Sequence, residues 1–235
     1  MTLTGGNCRP EHSHIWEREA DEHYVEPEWC SRRLFAVVSF AGTVQDPSCG
    51  FGRIVVSAQA AGLAAFGTDL VDRGFDGMIS TSDFFKQKTP VENIVSNPPF
   101  GTRTNPLFKR YALHALSLTS GKVALVWLTR TLPAAHWREQ TPLAAVYFMT
   151  PRPSMPPGHV IAAGEKPGGG KQDFCWLVWD HAHTGPAQTR WLHRDIEKVP
   201  ASRSASMPFT RGSSASPRSR STSFFSRWAL PTPCL

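Results

Sequence analysis

The chain has 235 residues, with 25 lysines and arginines against 19 acidic residues and a formal net charge of +6. That length buries one ample core, so a single main domain is expected, and no apolar run approaches the ~20 residues that span a bilayer, so no membrane is an expected partner. Five scattered cysteines (8, 30, 49, 175 and 234) form no Cys-x-x-Cys pair, which argues against a disulfide framework and against structural zinc.

Residues 1–22 are polar and charged, unlike a signal peptide, and read as a poorly ordered lead. With reduced thiols this points to a cytoplasmic protein. His12-x-His14 and His181-x-His183 lack a third ligand at a useful spacing, so no metal is expected. Residues 23–200 read as the folded domain. Its first helix is expected over 27–38, with Pro27 near the first turn.

A short strand over 43–46 then leads into Asp46-Pro47-Ser48-Cys49-Gly50-Phe51-Gly52, followed by a helix over 53–61 whose Ile54, Val55, Ala58 and Ala61 recur at helical spacing. A strand, a glycine turn and a helix N-terminus make a small-ligand cradle, because glycine permits close backbone approach and the first helical N–H groups face outward. Position 55 is valine, so this is not the dinucleotide fingerprint. A second strand over 64–68 closes on Asp69, where α/β nucleotide sites hold a ribose. Asp72 is the rival for that role. A third strand over 77–81 precedes Ser82-Asp83-Phe84.

A fourth strand over 93–96 ends in Asn97-Pro98-Pro99-Phe100. In an open α/β sheet the carboxyl ends of the strands face the ligand. Two prolines remove two N–H donors and hold the backbone extended. An amide, bare carbonyls and an aromatic face suit the recognition of a planar amino group.

Beyond it, helices are expected over 106–119 and 133–139 and strands over 122–128, 144–149 and 174–179. This alternation argues for a mostly parallel sheet covered on both faces. Residues 150–171 carry five prolines and five glycines and read as a long irregular loop, either a flexible surface hairpin or a DNA-facing segment. Trp176 and Trp179 are expected in the core. The segment 201–235 holds ten serines, five arginines and no acidic residue, and reads as a disordered tail. Without it, residues 1–200 carry only +1.

Taken in order, Tyr24-Val25-Glu26-Pro27, Asp46 to Gly52, Gly67-Thr68-Asp69, Ser82-Asp83 and Asn97 to Phe100 resemble the amino-methylating S-adenosylmethionine-dependent methyltransferases. The chain looks most like the small adenine-N6 DNA methyltransferases of phages and prophages. The resemblance implies a Rossmann-like methyltransferase fold, with a mostly parallel seven-stranded sheet, helices on both faces and the last two strands as a hairpin. It implies S-adenosyl-L-methionine as cofactor, held by Asp69 at the ribose, the backbone of Gly50 to Gly52 along the methionine portion, Asp46 at its ammonium, and Pro47 as a further cofactor-binding residue. Asp83 and Phe84 would meet the cofactor's adenine, and Tyr24 and Pro27 its edge. Asn97 and Pro98 would accept from the target amine, with Pro99 in the same catalytic tetrapeptide and Phe100 stacking on the base. The implied partner is nucleic acid, DNA first, with nothing in the pattern setting an oligomeric state. The same tetrapeptide also suits a protein glutamine or an RNA base, and a methyltransferase-like fold kept only as a binding module is a further alternative.

Overall fold

The computed structural model describes residues 22–102, 106–165 and 168–195. The lead 1–22, save Glu22, and the tail 201–235, with the expectations attached to them, lie outside the described residues.

Helix α1 (Glu28–Val37) starts at Pro27, whose fixed φ of −60° suits the N-cap. The sheet comprises β1 (Val44–Asp46), β2 (Ala65–Asp69), β3 (Met78–Thr81), β4 (Asn93–Ser96), β5 (Lys122–Leu128), β6 (Leu143–Thr150), β7 (Phe174–Asp180) and β8 (Gln188–His193). Between them run α2 (Arg53–Ala60), α3 (Leu107–Leu118) and the short α4 (Gly158–Ala162). The strand order is β3-β2-β1-β4-β5-β7-β6-β8. Only β7 runs against the rest, pairing antiparallel with both β5 and β6.

The chain steps outward from β1 to β3 and then returns to lay β4 on the other side of β1. That reversal opens a crevice at the carboxyl ends of β1 and β4, the place where doubly wound sheets bind ligands. Alternation along the strands divides the core into two layers. Ala124 and Val126 of β5, with Trp176 and Val178 of β7, face the layer that holds Cys30, Leu34, Ile54 and Ala58 from α1 and α2. Val123, Leu125, Leu177 and Trp179 face the other, built on Phe108, Tyr111, Ala112 and Ala115 of α3. Trp176 and Trp179 are both fully buried, one in each layer.

Three expectations need correction. The sheet has eight strands, not seven. β8 escapes a periodicity reading because it is an edge strand with only Leu192 buried, so no apolar alternation marks it. The helix expected over 133–139 is instead two 3₁₀ turns, Thr129–Ala134 and His136–Gln140, because Pro133 lacks the N–H that an α-helix needs there. The 150–171 segment is not wholly irregular: it contains α4, and it packs on the N-terminal segment through Val25 N–H to Pro156 O at 2.9 Å and Gly158 N–H to His23 O at 2.8 Å. Among the described residues no helix is long and apolar enough to cross a membrane.

Candidate active site

The ends of β1, β2 and β4 and the N-terminal segment line one cleft of about 800 Å³. The turn after β1 is shaped by two glycines in left-handed conformations, Gly50 at φ 50° and Gly52 at φ 76°. A Cβ at Gly52 would lie 2.3 Å from the Phe75 ring, and one at Gly50 would lie 2.6 Å from His23 Nε2. Neither position admits a side chain as the structure stands. The turn is tied to β2 at two points. Cys49 N–H donates to Thr68 O at 3.1 Å, and Gly50 N–H donates to Asp69 Oδ2 at 2.8 Å. Asp69 Oδ1 also accepts from Val71 N–H at 3.1 Å.

Asp46, at the end of β1, is 1% exposed. Its Oδ1 accepts from Ser96 Oγ at 2.7 Å and from Ser48 N–H at 3.1 Å. Tyr111 completes a hydroxyl cluster, with its Oη 3.0 Å from both Ser48 Oγ and Ser96 Oγ. Burial pushes the Asp46 carboxyl well above the usual range, against the pull of the Ser96 hydroxyl. Burial, reinforced by Asp46, likewise holds the Tyr111 phenol neutral.

At the end of β4, the Asn97 side chain donates from Nδ2 to Tyr24 O at 2.8 Å and to Glu26 Oε2 at 3.0 Å. Both bonds fall on the amide nitrogen, so Oδ1 is the edge the amide turns away from these partners. Burial raises the Glu26 carboxyl. Arg53, from the first turn of α2, donates from Nη1 to Glu26 O at 2.8 Å and fixes the backbone there. Asp83 Oδ1 accepts from Phe85 N–H at 3.0 Å and caps the 3₁₀ turn Phe84–Lys86. Phe84 packs on Tyr111 at 4.6 Å between centroids, and Arg110 lies 4.0 Å over the Phe85 ring.

Of the residues singled out in the sequence, Tyr24, Asp46, Pro47, Gly50, Asp69, Asp83, Phe84, Asn97 and Pro99 line the cleft. Gly52, Pro27, Pro98 and Phe100 are not part of its lining. Gly52 sits behind, as the N-cap of α2, and Pro27 begins α1. Pro98 is buried. The Phe100 ring is drawn into an aromatic cluster, with centroids 5.5 Å from Trp127, 6.2 Å from Phe108 and 6.4 Å from Phe174. Asp72 is spent on an Asx turn to Gly74 N–H at 2.8 Å and is not part of the lining. Among the described residues no group of three or more His, Cys, Asp or Glu is placed to hold a metal.

Sequence reasoning missed Glu26, Arg53, Ser96 and Tyr111. Glu26 stood inside the Tyr24–Pro27 segment and carried its own signal, a carboxylate between Val25 and Pro27. Tyr111 falls on the apolar stripe of α3 and reads as core, which it also is.

No protein-family model matches the chain, and no curated protein matches it. Among solved structures, the fold is similar to an RNA methyltransferase candidate from Pyrococcus horikoshii, at 13% identity over 64% of this chain and 81% of that one, with a TM-score of 0.49. It is similar to a Thermoplasma acidophilum protein at 12% identity over 66% and 88% of the two chains, with a TM-score of 0.47. A TehB-like S-adenosylmethionine-dependent methyltransferase from Corynebacterium glutamicum aligns at 18% identity over 64% and 86%, with a TM-score of 0.41. With every score below 0.5, these likenesses carry no weight on chemistry, which rests on the residues of the cleft.

Proposed function

We propose that the chain is an S-adenosylmethionine-dependent N-methyltransferase acting on the exocyclic N6 amine of adenine in DNA. The observation that carries this reading is the Asn97 amide, whose Nδ2 bonds to Tyr24 O and Glu26 leave Oδ1 as its acceptor edge. An amine with a lone pair delocalised into a ring is a poor nucleophile. Accepting an N–H bond of that amine with Asn97 Oδ1 would turn the lone pair out of the ring plane and position it for attack. No strong general base is required, because the methylated amine gives up its proton readily to water.

The residues of the cleft fit the cofactor. Asp46 and Asp69 are buried carboxyl groups in its lining, and a cationic ligand beside them would favour their ionised form. The close approach at Gly50 leaves backbone rather than side chain facing the ligand. Asp69 would hold the ribose hydroxyls, and Asp83 with Phe84 the adenine. When bound, the cofactor supplies an electrophilic methyl group on sulfur.

One observation favours a second target. With the Phe100 ring packed among Phe108, Trp127 and Phe174, no aromatic of the tetrapeptide faces the cleft. A flipped base needs such a face, whereas a glutamine side-chain amide does not. Incubation with methyl-labelled cofactor and either unmethylated DNA or a protein lysate separates the two. N6-methyladenine after nucleoside digestion supports the DNA reading, label on glutamine supports the second, and failure of well-folded protein to bind the cofactor removes both.

A further inference from the structure

We propose that Glu26 is a positioning residue that locks and polarises the Asn97 amide, and so restricts the site to targets that present N–H donors. The inference rests on the methyl-transfer reading above and specifies the chemical class of nucleophile that this site accepts.

A side-chain amide is ambiguous, because a half-turn exchanges its donor and acceptor edges. Here two independent acceptors remove the ambiguity. Tyr24 O is a carbonyl and only accepts, so Nδ2 must face it at 2.8 Å. The second N–H is half-buried and needs an acceptor of its own. Glu26 Oε2 accepts it at 3.0 Å.

The backbone around Glu26 is held in place. Glu26 precedes Pro27, the N-cap of α1. Its carbonyl accepts from Arg53 at 2.8 Å, and the neighbouring Val25 N–H donates to Pro156 O at 2.9 Å. The side chain is 6% exposed. Burying a carboxylate is costly, and burial does raise its pKa, with its own backbone N–H, the Asn97 amide and Arg53 pulling the other way. A neutral side chain would satisfy the same N–H without that cost.

What the charge adds is polarisation. A charge-assisted bond is roughly twice as strong as a neutral one, and donation from Nδ2 to a carboxylate shifts amide electron density toward Oδ1. Oδ1 then becomes a better acceptor for an amine or amide N–H. It also becomes a worse neighbour for an anionic nucleophile, such as a phenolate, thiolate or carboxylate, which would meet a negative edge backed by the Glu26 charge.

The test uses the full chain, S-adenosylmethionine and unmethylated double-stranded DNA, with wild type compared to Glu26→Leu and Glu26→Gln. Glu26→Leu is expected to bind the cofactor with unchanged affinity by calorimetry and to keep KM for DNA, while kcat falls by roughly 10²-fold or more. Glu26→Gln, which still accepts the bond but lacks the charge, recovers part of that loss. Retained kcat in Glu26→Leu, or a loss confined to cofactor affinity, overturns the proposal. A readout without substrate keeps it decidable if wild type binds cofactor yet leaves DNA unmodified, which would sink the DNA target and not the lock. In ¹⁵N NMR of the protein alone, the Asn97 side-chain amide protons exchange slowly in wild type and at least ~10-fold faster in Glu26→Leu. Equally fast exchange in both overturns the lock itself.

Discussion

Asp69 Oδ2 accepts the backbone N–H of Gly50 at 2.8 Å, which makes the acidic end of β2 and the glycine turn after β1 a single structural unit. A ligand held by one is therefore held by both, and the same carboxylate that would meet a ribose also sets the path of the turn.

Asp69→Ala should accordingly act twice. It leaves the Gly50 N–H without its acceptor, at a cost of ~1–3 kcal/mol in stability, and weakens S-adenosylmethionine binding by more than ~10-fold. Asp72→Ala, which loses only an exposed Asx turn, should leave calorimetric affinity within about threefold. Equal effects at the two positions would remove Asp69 from the binding site.

Gly52→Ala places a methyl 2.3 Å from the Phe75 ring on a backbone at φ 76°. We expect a loss of more than ~1 kcal/mol from backbone strain alone. Phe75→Ala added to it should relieve the clash but not the strain, so the double mutant should be more stable than the sum of the singles predicts. Chemical denaturation of the four proteins measures this coupling.

Asn97→Ala should cut methyl transfer by roughly 10²–10³-fold while cofactor affinity stays near wild type, since on the proposed reading its acceptor would serve the target. Phe100→Ala should behave differently. Its ring belongs to the aromatic cluster with Phe108, Trp127 and Phe174, so thermal stability should fall together with activity. Lost activity with an unchanged melting temperature would show that the ring serves the target alone.

Burial pushes the Asp46 carboxyl well up, Ser96 and Ser48 pull it down, and Glu26 and Asp69 push it further up. Between the ordinary carboxylate value and this raised one, the folded chain keeps a proton that the unfolded chain releases. Stability therefore falls as pH rises through that window. Asp46→Asn removes the dependence, so its melting temperature relative to wild type should climb as pH rises above the ordinary carboxylate range. A difference that stays constant with pH would show that Asp46 is not titrating between the two states.

The sequence made the site's frame legible because the frame is local. Strand, turn and helix around Asp46 to Arg53, and the strand ending at Asn97, follow from short-range periodicity and from residues whose backbone preferences are strong. Glu26 and Tyr111 were not legible in the same way. Their roles depend on neighbours 71 residues away at Asn97 and 63 residues away at Ser48. Phe100 shows the converse: the tetrapeptide was read correctly as a strand end, but the direction of its ring is set by Trp127 and Phe174, which no local pattern announces. β8 stayed hidden because its pairing partner β6, rather than any apolar alternation of its own, makes it a strand.

The placement of β7 between β5 and β6 has a consequence for how the chain assembles. β6 has no direct pairing with β5, and its two sheet neighbours are β7 and β8, both of which follow it in the chain. As the polypeptide emerges from a ribosome, β1 to β5 with α1 to α3 have partners already made, while β6 must wait with Tyr147 and Met149 uncovered. Such a delay exposes apolar surface and an open strand edge to neighbouring chains. Slow steps in refolding, and the main hazard of aggregation, should therefore trace to the arrival of Phe174–Asp180 rather than to the half of the sheet that forms the cleft.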